Sequence, residues 1–422
     1  MIRKIIKLFQ NEYIFAVINK FLTTGLSLVQ SILVARYLGK EIQGISASIL
    51  SIVSIGAIVI TFGMHQAYPY YRKERGKESI YTDFISIITF LFGCYFIFAA
   101  VIAAVFVQDF VVRTAVILIP LYGYNRVVSY ICLIENPNQR NKWWTIISFA
   151  DIVFIILLIC FVDRSVGSAI AILAFAETCK CIVYTIMLGQ RPHFHKGLYV
   201  FAKELFLYGF FPMVALLMTT LNYKIDILML RAFPFITNGQ IGVYSIGMSF
   251  ADKIAIIPDT LKGILISKLS KGADEHEVAK VSRLCFWASS LICIMIWILG
   301  EPLINLLYGR EYSGAYSVLL ICSIGSIFVG YFKLIAQYNI VNKKQIRNVV
   351  LLSGSIVINI VLNLLLIPKY GLNGAAFASG VGYFTTGFVF VIWFARKNGI
   401  RMSEMFLPQK EDMEALKKVK KK

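Results

Sequence analysis

Apolar runs of about 20 to 25 residues, each closed by charge, proline or glycine, follow one another along almost the whole chain. A run of that length crosses about 30 Å of hydrocarbon as a helix, whereas membrane-barrel strands alternate over about ten residues. The pattern predicts helices at 13–35, 44–66, 83–107, 112–134, 144–162, 167–189, 204–231, 240–266, 283–305, 314–338, 348–367 and 373–395. The expected fold is an all-α integral membrane protein of about twelve transmembrane helices.

Four of these cylinders carry a polar stripe. On the first, Lys20, Thr23, Thr24, Ser27 and Ser31 recur at three- and four-residue spacing and so share a face. The second has Ser51, Ser54, Thr61 and His65, and the seventh has Thr219, Asn222 and Asp226. The eighth sets Asp252 and Asp259 seven apart on one face. A polar face within a bilayer must turn to protein or water. For any single hydroxyl the plainer role is helix packing, and His65 near a helix end reads as a boundary residue.

Composition strengthens the membrane reading. With 58% hydrophobic and 15% charged residues, the chain has too little polar surface to cover a soluble globule of 422 residues. The net charge of +19 is unevenly placed: one set of alternate loops holds most of the Lys and Arg, while the other holds Arg36, Lys40, Arg113, Arg164, Arg231, Arg310 and Lys369. Under the positive-inside rule both termini then lie in the cytoplasm. The charge is an orientation signal and not a nucleic-acid footprint. The first apolar segment is too long, and too interrupted by Asn19 and Lys20, for a cleavable signal's core, so it is expected to stay as the first helix. All eight cysteines fall in or beside predicted helices, with no disulfide framework and no metal-ligand spacing.

The candidate chemistry lies in charges placed within spans. Lys20, Arg126, Lys180, Lys224, Lys253, Lys262 and Lys333 sit in otherwise apolar segments, where a cation costs about 2.5 to 3.5 kcal/mol on insertion scales. Such residues face water-filled interiors and handle charged cargo, so the chain reads as a transporter of something anionic. Glu177 with Lys180, and Asp259 with Lys262, are three apart and able to neutralise one another. Lys333 is expected to snorkel to the cytoplasmic boundary. Lys224 lies almost opposite Asp226 around its helix and is a weak candidate. Lys20, Arg126 and Lys253 have no neutralising neighbour at helical spacing and are the strongest candidates. They would replace the water lost by a phosphate or pyrophosphate. With Thr24, Ser27 and Asn222 they form the expected substrate-binding set. Asp151, Glu177, Asp226, Asp252 and Asp259 are candidates for a coupling proton or sodium ion, or for counter-ions of the lysines.

No loop is large enough for a catalytic domain, and no P-loop, dinucleotide fingerprint or Ser/His/Asp spacing is present. The expectation is a transporter driven by gradients and not an enzyme. Residues 190–203 read as a cytoplasmic linker between a first lobe, 1–189, and a second, 204–395, followed by a basic tail, 396–422. A weak internal echo, residues 130–141 (YICLIENPNQRN) against 338–348 (YNIVNKKQIRN), fits parallel repeats of six helices.

Three further stretches carry a family resemblance: 301–316 (EPLINLLYGREYSGAY), 367–379 (IPKYGLNGAAFAS), and 225–230 (IDILML) with 242–245 (GVYS). Together they resemble the polysaccharide-transport flippases of the multidrug, oligosaccharidyl-lipid and polysaccharide exporter superfamily, in particular the O-antigen and capsule repeat-unit flippases. The resemblance implies two six-helix lobes in a V and a central cavity lined by helices 1, 2, 7 and 8. It implies alternating access that moves an undecaprenyl-pyrophosphate-linked oligosaccharide outward across the bacterial cytoplasmic membrane. Partners would be that lipid, the surrounding membrane lipids, a polysaccharide polymerase and a chain-length regulator. No cofactor is implied beyond a proton or sodium gradient. Family members commonly carry basic residues in the first and eighth helices, where this chain has Lys20 and Lys253. The rival reading is a cation-coupled exporter of cationic drugs from the same superfamily.

Overall fold

A computed structural model describes the backbone of residues 12–409 except 190, 271 and 343, and the side chains of the same residues except those of 12–21, 77–79, 267 and 270. Among the described residues the long elements are all helices. They are α1 (Glu12–Thr61), α2 (Met64–Arg75), α3 (Lys77–Val105), α4 (Phe110–Glu135), α5 (Pro137–Phe161), α6 (Val166–Leu188), α7 (Leu198–Ala232), α8 (Asn238–Lys253), α9 (Ile256–Ser270), α10 (Glu275–Tyr308), α11 (Ala315–Val341), α12 (Gln345–Asn398) and the short α13 (Met402–Phe406).

Nine described helical segments are long and apolar enough to cross a bilayer, and the bent pair α8 and α9 makes a tenth. Two of the nine, Leu22–Arg75 and Gln345–Asn398, run 54 residues each, about 80 Å at 1.5 Å per residue against about 30 Å of hydrocarbon. Each is broken by a glycine outside helical geometry, Gly39 at φ 72° and Gly371 at φ 55°, where a side chain would be strained. Two crossings per segment restore the expected number of spans. The bends fall where the sequence placed outer turns, and in α12 Pro368 sits three residues before the break.

Local side chains set where helices begin. Asp109 accepts from the Val112 amide at 2.9 Å, Ser165 and Ser168 form a reciprocal capping box, and Thr237 and Gln240 form another. Each such cap contributes about 1 kcal/mol. Large apolar side chains such as Phe98, Val105, Phe161, Ile186 and Ile298 are exposed along these helices, as lipid-facing surfaces require.

The chain forms two compact units, Met1–Thr220 and Leu221–Lys422. The division falls inside α7, later than the 190–203 linker. The reason is packing: Leu198, Phe201 and Leu205 join the first unit's core of Met64, Tyr68, Phe84, Phe92, Val127 and Tyr184. Phe62 stacks edge-on against Phe206 at 5.2 Å, and a Cβ on Gly209 would meet the backbone of Phe62 and Gly63. The same core holds Glu135, which accepts from Tyr68 (2.8 Å) and from Arg72 (2.5 and 3.2 Å). In the second unit, α11 packs closely on α12, where a Cβ on Gly325 would meet the Gly380 carbonyl.

Candidate functional site

Within the first unit a cavity of about 330 Å³ is lined by side chains of α1, α4, α5 and α6, among them Asn125, Arg126, Arg140, Trp144, Glu177 and Lys180. Arg126 projects from the middle of α4 and is half-buried. Among the described residues it makes no hydrogen bond or ion pair, and its named electrostatic neighbour is His65, itself buried. An unpaired guanidinium in a partly dry site is costly unless water or an anion completes it.

Arg140 enters the cavity because Pro137 starts α5 at its first position, placing Arg140 in the first turn. From there its Nε and Nη2 donate back to the Ser129 hydroxyl at 3.1 and 3.0 Å, and its guanidinium lies 4.0 Å from the centre of the Trp144 ring. Lys180 lies 4.9 Å from the same ring and 2.6 Å from Glu177. Glu177 also accepts from Asn125 at 2.9 Å, which leaves the Asn125 Oδ1 buried without a partner among the described residues. The lining therefore sets three cations against one carboxylate, with fixed aromatic and amide groups around them.

Of the expected residues, Arg126 and Glu177 meet in this cavity. Asp151 is buried nearby; it accepts from Gln30 at 3.0 Å and feels both Lys180 and Glu177. Thr24 is partly buried, while exposed Ser27 donates to the Thr24 carbonyl at 2.8 Å. The same local bonding takes Ser51, Ser54 and Thr219, each donating to the carbonyl four residues back, although Ser54 also lines the cavity. The Lys20 side chain lies outside the described residues. His65, read as a boundary residue, is instead buried in α2 and packs edge-on against Tyr130 at 5.2 Å.

Sequence reading missed Arg140, Ser129, Trp144 and Asn125. The available signal was the Arg140 and Trp144 spacing of four on a helix opened by Pro137.

The second unit holds two further groups. In one, Asp259 joins Lys333 at 2.6 Å and Lys262 at 2.8 Å, so Lys333 does not snorkel but pairs across helices. Asp252, exposed, feels Lys224, Lys333 and Lys253, while Lys224 and Lys253 make no hydrogen bond or ion pair among the described residues. Asp252 and Asp259 stand on separate helices, α8 and α9, which meet at 47°, and Asp259 still acts electrostatically on Asp252. Pro258 lacks an amide proton there, and its ring fills the space beside Gly330.

The other group is fully buried. Asp226 Oδ1 accepts from Asn363 at 3.0 Å, and the same Asn363 amide donates to Asn359 at 2.9 Å. Ser379 and Tyr244, 3.0 Å apart, also lie against the carboxylate. Asn222, expected to touch cargo, is fully buried one helical turn before Asp226. Among the described residues Asp226 Oδ2, Asn363 Oδ1 and both amide atoms of Asn222 lack partners.

The chain is 22% identical over 90% of its length to an uncharacterized membrane protein of Methanocaldococcus jannaschii, covering 82% of it. It shares its fold with an inward-facing multidrug resistance MATE family transporter of the MOP superfamily, at TM-score 0.67 and 12% identity over 89% of this chain and 94% of that one. The MATE multidrug transporter DinF-BH, solved in complex with a ligand, matches at TM-score 0.61 and 18% identity, over 96% and 97% of the two chains. A MOP superfamily transporter from Pyrococcus furiosus, reported with a binding pocket of reverse polarity that suggests a different function, matches at TM-score 0.57 and 11% identity over 93% and 96%. A family model described as polysaccharide biosynthesis protein matches residues 33–317, more than half of the chain. This multi-pass membrane protein, whose fold is that of solved MOP superfamily transporters, therefore belongs to the polysaccharide biosynthesis protein family.

Proposed function

We propose that the protein flips an oligosaccharide repeat unit, carried on undecaprenyl pyrophosphate, from the cytoplasmic to the outer leaflet by alternating access, for O-antigen or capsular polysaccharide synthesis. The observation that carries this reading is Arg126, unpaired among the described residues, in a cavity whose other charges are Arg140, Lys180 and Glu177. A diphosphate brings the counter-charge that the site lacks, and guanidinium forks suit its oxygens. The volume fits a head group and its first sugars, not a whole lipid.

Orientation follows from the loop cations: both termini are cytoplasmic, in the bacterial inner membrane. Export is then downhill electrically, by about 2.3 kcal/mol per charge per 100 mV, or roughly 4 to 5 kcal/mol for two charges. Buried Asp226 and its amides would hold the coupling ion, proton or sodium.

Multidrug export by structural relatives supplies the competing reading, yet a cationic drug would meet three cations here. The reverse polarity described for the Pyrococcus furiosus transporter is a precedent for a departure of this kind. Deletion of the gene, followed by mass spectrometry of inner-leaflet lipids, tests the proposal. The expected result is accumulation of one pyrophosphate-linked oligosaccharide and loss of surface glycan. Unchanged glycan together with lost efflux of a cationic dye would favour drug export.

A further inference from the structure

A second hollow lies in the second unit, at the end of α12. Its volume is about 490 Å³, and Leu351, Val389, Ile392, Trp393, Arg396 and Lys397 line it. Positions 389, 392, 393 and 396 repeat at three and four residues and so share one helix face. Leu351 stands one turn after Arg347 on the opposing half of the helix. The break at Gly371 returns the chain, and Arg347 packs 5.2 Å from the centre of the Trp393 ring, with Lys397 at 5.0 Å from the same ring.

Cations crowd the rim. Lys344 and Arg347 both act electrostatically on Lys397, and the acid that opposes them is Glu275. Arg347 Nη1 is buried and has no partner among the described residues. The floor is different in kind: Leu351, Val389 and Ile392 offer an apolar trough on the surface of a membrane-spanning element. A basic rim over an apolar trough complements a molecule with a phosphate at one end and a hydrocarbon chain at the other.

We infer that this groove holds an anionic phospholipid, its phosphate against Arg347, Arg396 and Lys397 and one acyl chain along Leu351, Val389 and Ile392. Trp393 separates the two regions, as an indole at the membrane interface does. A zwitterionic lipid brings its own cation to a rim that already has an excess of them. The groove itself is built by α12, and the inference does not depend on the cargo assigned to the first unit.

Native mass spectrometry of the full-length, delipidated protein tests it, using phosphatidylglycerol and phosphatidylcholine of identical chains. The expected result is at least tenfold preferential retention of phosphatidylglycerol, lost in an Arg396→Glu, Lys397→Glu double variant whose melting temperature in phosphatidylcholine is unchanged. Both of these side chains are exposed, and the described packing that the variant gives up is the Lys397 contact with the Trp393 ring. Should the double variant fail to fold, Arg347→Gln is the substitute, with the same loss expected. Equal retention of the two lipids, or full phosphatidylglycerol retention by the variant, overturns the proposal. Displacement of the lipid by millimolar inorganic phosphate also overturns it, because the site would then hold an ion without using the trough.

Discussion

Replacing Arg126 with Ala is expected to abolish surface polysaccharide while leaving the protein in the membrane. Arg126 makes no described hydrogen bond or ion pair, so its removal breaks no internal network. On the proposed reading, what is lost is an interaction with cargo. A hydrogen bond to a charged group contributes about 1.5 to 3 kcal/mol, so the affinity for a pyrophosphate-linked lipid should fall roughly 10- to 100-fold. Arg126→Lys keeps the charge without the planar fork and should retain part of the function. Arg140→Ala is expected to be worse for folding than Arg126→Ala, because Arg140 also holds Ser129 and the Trp144 face. The measurement is glycan display at matched membrane abundance. Full display by Arg126→Ala would remove this residue from the mechanism.

If Asp226 holds the proposed coupling ion, substitution by Asn should separate transport from that ion. The carboxylate is fully buried; Asn363 donates to it at 3.0 Å, Ser379, Tyr244 and Asn359 lie against it, no cation pairs with it among the described residues, and a buried charge without a counter-charge costs several kcal/mol. On the proposed reading a proton or a cation completes it. Unpaired amide oxygens at Asn363 and Asn222 are the ligand type that hard cations take. Asn at 226 keeps the shape and removes the charge, so without added ion the variant should be at least as stable as the native protein. Its transport should fall at least about tenfold, the equivalent of some 1.4 kcal/mol. Bound ion also stabilises the folded state, by about 2.7 kcal/mol at one hundred times its dissociation constant. Sodium, or lowered pH, should therefore raise the melting temperature of the native protein but not of Asp226→Asn. Which of the two does so identifies the ion. A native protein indifferent to both would end the assignment.

Much of this was legible in the sequence where one helix carries the information. Span positions, the breaks near Gly39 and Gly371, and the depth of Arg126 all follow from local pattern. The Glu177 and Lys180 pair was readable from spacing alone, and the structure adds that the pair also lines the cavity. Sites that depend on corners between helices were not legible. Arg140 counts as a loop cation until α5 is seen to start at Pro137 and turn the side chain inward. Lys333 reads as a boundary residue until α9 brings Asp259 within 2.6 Å. Asn359 and Asn363 were not singled out from sequence, because only packing against α7 gives them Asp226 as a partner. The unit boundary at Thr220 escaped for a related reason: the apolar pattern of α7 is continuous, and which core each half joins is a tertiary property.

Recognition of an anionic lipid head group by Arg126 and its neighbours can be measured in proteoliposomes loaded with a fluorescent undecaprenyl-pyrophosphate-linked oligosaccharide. The native protein is expected to speed transfer of this lipid between leaflets, Arg126→Ala is expected not to, and neither should move a cationic dye. Dye transport without lipid transfer, or lipid transfer at the native rate by Arg126→Ala, would refute that recognition.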